Sequence, residues 1–170
     1  MVKKQAASPA AHILNILGIM IMVLAVALCL VLAVPKFMGY SGYTVLTGSM
    51  EPTIPVGSVV YAKEADPASL VPGDIIVFYS GSGDIPVTHR IVKNDTSARE
   101  VTTRGDANDL VDVSPVPYSN IIGVVTRHVP GLGRLLAPLG TLLGKIGMIA
   151  LIFAGALMCD LARRLPTRDS

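Results

Sequence analysis

The sequence predicts a mainly β fold: a small barrel or sandwich flanked by an N-terminal and a C-terminal transmembrane helix. Three observations predict it. Only 15% of the 170 residues are charged and 51% are hydrophobic, whereas about a quarter of a soluble domain is charged. The apolar excess is concentrated at the two ends. Between them, short runs rich in Val, Ile and Tyr alternate with Gly, Pro, Asp and Asn. Such a composition excludes a disordered polyelectrolyte. A formal net charge of +2 over the whole chain also argues against a soluble basic nucleic-acid binder.

The first element is the run Ile13–Val34, 22 residues with no charge and one polar side chain, Asn15. About 20 such residues cross the hydrocarbon core as a helix. A cleavable leader has a shorter apolar region, of about 7–15 residues, so the segment 13–35 reads as a retained anchor, preceded by a cytoplasmic N-terminus at 1–12. The second apolar run, Leu135–Met158, contains Pro138, Lys145 and the glycines 140, 144, 147 and 155. It reads as a second transmembrane helix at 135–160, in which Lys145 must snorkel or face a partner. The small residues at helix-face spacing leave room for another membrane subunit. Lys3 and Lys4 precede the first span, and Arg163, Arg164 and Arg168 follow the second. By the positive-inside rule both termini are cytoplasmic, the tail being 161–170, and residues 36–134 form an extracytoplasmic domain.

Within 36–134 the strand candidates are 43–46, 58–62, 74–79, 88–92, 100–104 and 120–125. Turn signals fall between them, among them SGSGD at 80–84, which reads as a hairpin tip or loop. Several short strands at near-regular spacing indicate a barrel or sandwich. Between Gly39 and Pro130 six Lys/Arg stand against ten Asp/Glu, a net of −4, so nucleic acid is not the expected partner. Cys29 and Cys159 both lie in the apolar ends. That leaves no cysteine nucleophile in the middle and no zinc spacing.

Three groups of residues in the domain can carry chemistry. Ser49 lies in TGSMEPT, after an apolar strand and in a Gly/Pro turn, where serine is ordinarily a turn residue. His89, in VTHRIV, is the one histidine in the domain's interior. A lone strand histidine is more often structural, yet it is also the base a serine nucleophile needs. RGDANDLVD places Asp106, Asp109 and Asp112 within seven residues. They read either as a solvated acidic turn or as the source of a carboxylate that orients the imidazole. An EF-hand is excluded, because the ligand spacing and closing Glu are absent.

In order, TGSMEPTIPVGSVVY, PGDIIVFY, VTHRIV and TRGDANDLVD resemble the boxes of signal peptidase I over about residues 43–125. The His in the third box resembles the Ser-His-Asp type of the endoplasmic reticulum, archaea and some Gram-positive bacteria. The fold this implies is a signal-peptidase-like β domain. The activity it implies is a membrane-bound serine endopeptidase that removes N-terminal signal peptides from exported precursors after an A-x-A pattern. Ser49 would be the nucleophile and His89 the general base. Asp112 would be the imidazole's partner, with Asp106 the competing choice and Asp109 a surface residue. The oxyanion would be held by the Ser49 N–H and the Thr47 hydroxyl, a donor type whose loss costs about 10²–10³ in rate. No metal or cofactor is expected. The expected partners are precursor proteins, the lipid bilayer and other membrane subunits, and the expected location is the cell membrane, or the endoplasmic-reticulum membrane in a eukaryote. Two rival readings remain: a non-catalytic membrane-anchored peptide-binding scaffold, and a subunit active only in a complex.

Overall fold

The structure is a computed structural model that describes residues 9–81, 83 and 85–165. Lys3, Lys4, Arg168 and two residues of the expected loop at 80–84, Ser82 and Asp84, lie outside the described residues. The chain forms two compact bodies. One lies within Met1–Ala33 and Pro138–Ser170, and the other is Val34–Ala137.

The first body holds most of two apolar helices. Helix α1 is Pro9–Phe37; its last turn belongs to the second body. It ends where Gly39 adopts φ +80°, a left-handed stop that only glycine accepts without strain. The second apolar run is divided. A helix α2, Leu132–Gly140, is followed by a helix α3, Leu142–Arg164. The break falls at Thr141, whose Oγ1 accepts the Gly144 N–H at 3.0 Å and caps α3. Lys145 therefore sits in the first turn of α3, not mid-span, and is exposed. Both α1 and α3 are long and apolar enough to cross a membrane, and most of their large apolar side chains are exposed. That is the pattern of helices solvated by lipid rather than packed in a soluble core. Of the glycines in the second run, Gly144 is approached by the end of α2 and Gly155 by α1. A Cβ at Gly155 would fall 2.9 Å from the Gly18 carbonyl oxygen of α1, and a Cβ at Gly18 would fall 2.7 Å from Cys159 Sγ. Small residues at this crossing let the two backbones approach closely.

The second body is mainly β. Among the described residues its sheet has seven antiparallel strands, curled into a half barrel in the order β1-β2-β7-β3-β4-β5-β6. They are β1 Tyr40–Thr44, β2 Val59–Lys63, β3 Ile75–Tyr79, β4 Pro86–Asp95, β5 Glu100–Arg104, β6 Val116–Pro117 and β7 Ile121–Val129. The central strand β3, IIVFY, is buried on both faces, which is why it reads as an unbroken apolar run rather than an alternation. Ile76 and Phe78 join one core cluster with Ile91, Val101 and Val116. Val77 joins the other, with Val45, Met50, Ile54 and Val60.

Candidate active site

The segment after β1 leaves the sheet but stays tied to it. Val45 N–H donates to the Ser58 carbonyl at 2.9 Å, and Gly57 N–H donates to the Val45 carbonyl at 2.8 Å. The turn that follows closes on Glu51 N–H to Gly48 O at 3.0 Å and Ile54 N–H to Met50 O at 2.8 Å. The Glu51–Pro52 peptide is cis. Met50 and Ile54 are 1% and 0% exposed, and burying each contributes roughly 1.5–3 kcal/mol. These two side chains pin the turn from below and leave Ser49, half-buried, at its crest. Ser49 Oγ lies 3.5 Å from Thr47 Oγ1.

Strand alternation on β4 puts His89 and Ile91 on the core side. His89 is buried, and Phe78 meets it edge-to-face with centroids 6.2 Å apart. Its Nδ1 lies 2.6 Å from Asp112 Oδ2. That same oxygen accepts the Thr103 hydroxyl at 2.6 Å, and the Asp112 N–H donates to the Thr103 carbonyl at 2.8 Å. Thr103 is fully buried on β5, so strand register fixes the carboxylate and the carboxylate fixes the ring. With the proton on Nδ1 facing a carboxylate, Nε2 carries the lone pair and is the basic nitrogen.

Gly105 joins the two halves. A Cβ at this position would fall 2.5 Å from the Ser49 carbonyl oxygen and 3.1 Å from His89 Nε2. Only a glycine lets the serine turn and the imidazole close on the same point. Ala107 N–H holds the serine turn there, donating to the Ser49 carbonyl at 2.9 Å. No hydrogen bond joins Ser49 Oγ to His89 among the described residues. Catalytic hydrogen bonds are often long before substrate arrives. A cavity of about 780 Å³ opens beside His89, walled by Phe78 and Val87 on one side and by Asn108, Leu110 and Asp112 on the other.

The structure gives the other two carboxylates different positions. Asp106 accepts both Arg90 Nε at 2.8 Å and Arg90 Nη2 at 2.6 Å. That bidentate hydrogen bonding holds the Asp106 carboxyl below its usual range and raises the Arg90 guanidinium. Asp109 is exposed on the cavity rim. No sequence motif marks Thr103, Arg90 or Gly105 as a site residue. The alternation of EVTTR, with Val101 and Thr103 both inward, is the one signal that could have shown Thr103 to be buried.

A serine held at a turn crest and a carboxylate-backed imidazole with an open nitrogen can together move a proton from a hydroxyl to a leaving group. That is the chemistry of acyl-transfer hydrolases. Comparison with known proteins narrows the class. The family described as Signal peptidase, peptidase S26, matches residues 17–96. The chain is 36% identical over 117 residues to Signal peptidase I W of Bacillus subtilis, covering 63% of this chain and 61% of that protein. It is 30% identical over 142 residues to the Signal peptidase complex catalytic subunit sec11 of Schizosaccharomyces pombe, covering 64% of this chain and 75% of that one. It is 27% identical to the subunit of the same name in Lachancea thermotolerans, covering 68% of this chain and 76% of that one. The chain belongs to the signal peptidase family of peptidases.

Proposed function

We propose that this chain is a membrane-bound serine endopeptidase that removes N-terminal signal peptides from exported precursors. The single observation that carries the reading is the convergence of the Ser49 turn and His89 Nε2 on Gly105, with Asp112 on the opposite ring nitrogen. In this reading Ser49 Oγ attacks the scissile carbonyl and His89 takes its proton. His89 then donates that proton to the departing amine, while Asp112 stabilises the imidazolium formed between the two steps. The oxyanion is met by the Ser49 N–H, which the turn's own hydrogen bonds leave aside in favour of Glu51 and Ile54 N–H, and by the Thr47 hydroxyl. No metal or cofactor takes part.

The substrate reaches the site as an added strand. β1 is an edge strand of the sheet and precedes the Ser49 turn by five residues, so an extended peptide on its free side would lie beside the segment that carries the nucleophile. α1 and α3 anchor the enzyme in the membrane where the precursor's own apolar segment lies, which raises the effective concentration of each for the other. A second reading, activity only within a complex, is favoured by the yeast relatives, whose names describe catalytic subunits of a signal peptidase complex.

The test is cleavage of a precursor carrying an A-x-A site by the detergent-purified chain, wild type beside Ser49→Ala and His89→Ala. Wild-type cleavage with neither variant active is the expected outcome. Activity retained by either variant would remove that residue from the mechanism. Activity of the wild type in native membranes alone would favour the complex.

A further inference from the structure

The outward face of the sheet at β1, β2 and β7 carries a group of side chains that catalysis leaves unused. The β1–β2 register sets Tyr40 opposite Lys63, and the β2–β7 register sets Tyr61 opposite Arg127. Val60 and Ala62 point into the core, so Tyr61 and Lys63, alternating with them, face outward. Tyr40, Tyr61, Arg127 and Val129 there line a cavity of about 810 Å³ together with Thr126 and His128 of β7, Pro35 in the last turn of α1 and Met38 just after it; Lys63 is not in the lining. Lys63 Nζ stands 5.8 Å from the centre of the Tyr40 ring.

The charge on this face runs against that of the domain, which is acidic overall. Elsewhere Arg90 is paired with Asp106 and Lys93 with Asp95. Lys63 and Arg127 make no ion pair among the described residues, and no carboxylate lines the cavity. The cavity also begins where the apolar run Ile13–Val34 ends. Pro35 is the next residue, and Phe37 and Met38 are 91% and 63% exposed. A pair of tyrosines, an arginine with a lysine beside it and an apolar wall, reached within a few residues of an apolar helix, match the layered chemistry of a bilayer surface.

We propose that this cavity binds the headgroup of an anionic phospholipid. Arg127, in the lining, takes the phosphate as a charge-assisted donor, and Lys63, beside the lining residue Tyr40, adds its charge from next to the cavity. Tyr40, Tyr61, Met38 and Val129 receive the glycerol and the first acyl carbons. The apolar wall distinguishes a lipid from a free phosphate ester, which has nothing to place against it.

The chain contains no tryptophan, so Tyr61→Trp puts a single reporter in the cavity. The full chain carrying it is reconstituted in nanodiscs of phosphatidylcholine with a rising fraction of phosphatidylglycerol, and tryptophan emission is followed. The expected result is a saturable change. Its midpoint moves to about fivefold more phosphatidylglycerol when Lys63→Gln or Arg127→Gln is added, the worth of one basic residue near an anionic surface, and stays in place for Arg99→Gln. Glycerol 3-phosphate added to neutral nanodiscs should leave the emission unchanged. An unsaturable response, or the same midpoint in the Lys63 and Arg127 variants, overturns the site. The full change produced by glycerol 3-phosphate alone overturns the lipid as its occupant. Tyr40→Trp serves as the reporter if Tyr61→Trp does not fold. The readout is independent of peptidase activity.

Discussion

Asp106, Asp109 and Asp112 lie within seven residues, yet the fold gives them different neighbours. Asp112 accepts from His89 and Thr103 through one oxygen. Asp106 is engaged by Arg90, and Asp109 faces the cavity rim. In the proposed mechanism only Asp112 sets the tautomer and stabilises the charged ring. An asparagine there presents an amide that can donate as well as accept, so the ring loses both its fixed tautomer and its counter-charge. Asp112→Asn is therefore expected to lower kcat on a precursor substrate by on the order of 10³–10⁴, while Asp109→Asn leaves it near the wild-type value. Steady-state cleavage by the two variants decides the matter, and a greater loss in Asp109→Asn would reverse the assignment. All three carboxylates can be seen in the sequence. Their division of labour cannot, because it depends on which strand each one meets.

At the scale of elements, five of the seven strands follow closely from runs of Val, Ile and Tyr between turn signals. The departures have local causes. The first strand occupies Tyr40–Thr44 instead of 43–46, because Val45 turns away to bond with the Gly57–Ser58 backbone. The two-residue β6 ends in Pro117, which cannot donate to a ladder, and such a fragment leaves no periodic trace. Arg90 likewise gave no sequence signal, since its partner Asp106 comes from a loop after β5. This pairing joins β4 to the acidic loop that carries Asp112, and it has a pH signature. Arg90 depresses the Asp106 carboxyl, so the stabilisation is fully present above the ordinary carboxylate value, near pH 4, and is lost as pH falls through the depressed one. Arg90→Gln should lower the melting temperature at pH 6, and the gap from wild type should close as the buffer is taken from pH 4 toward pH 2. Thermal melts across that range test it. A gap that stayed constant into acid would mean the arginine contributes by packing its stem and not by charge.

For the whole molecule, the question is which side of the membrane the β domain occupies, because a peptidase for exported precursors must meet them after translocation. The flanking charge argues for a cytoplasmic location of both ends, with Arg163 and Arg164 in the last turn of α3 and Lys3 and Lys4 ahead of α1. The intervening domain is net acidic and carries no cysteine. The native thiols, Cys29 and Cys159, both lie within apolar helices, which a water-soluble reagent does not enter once they are in lipid. New cysteines therefore report position cleanly. Ser97→Cys, in the exposed turn between β4 and β5, should react with a membrane-impermeant maleimide on intact cells. Arg163→Cys should react only after permeabilisation. The reverse pattern would place the Ser49–His89 site on the side where precursors are made rather than where they emerge, and would remove the proposed substrate. Labelling of both positions on intact cells would mean that α1 and α3, for all their length and apolar surface, do not both cross.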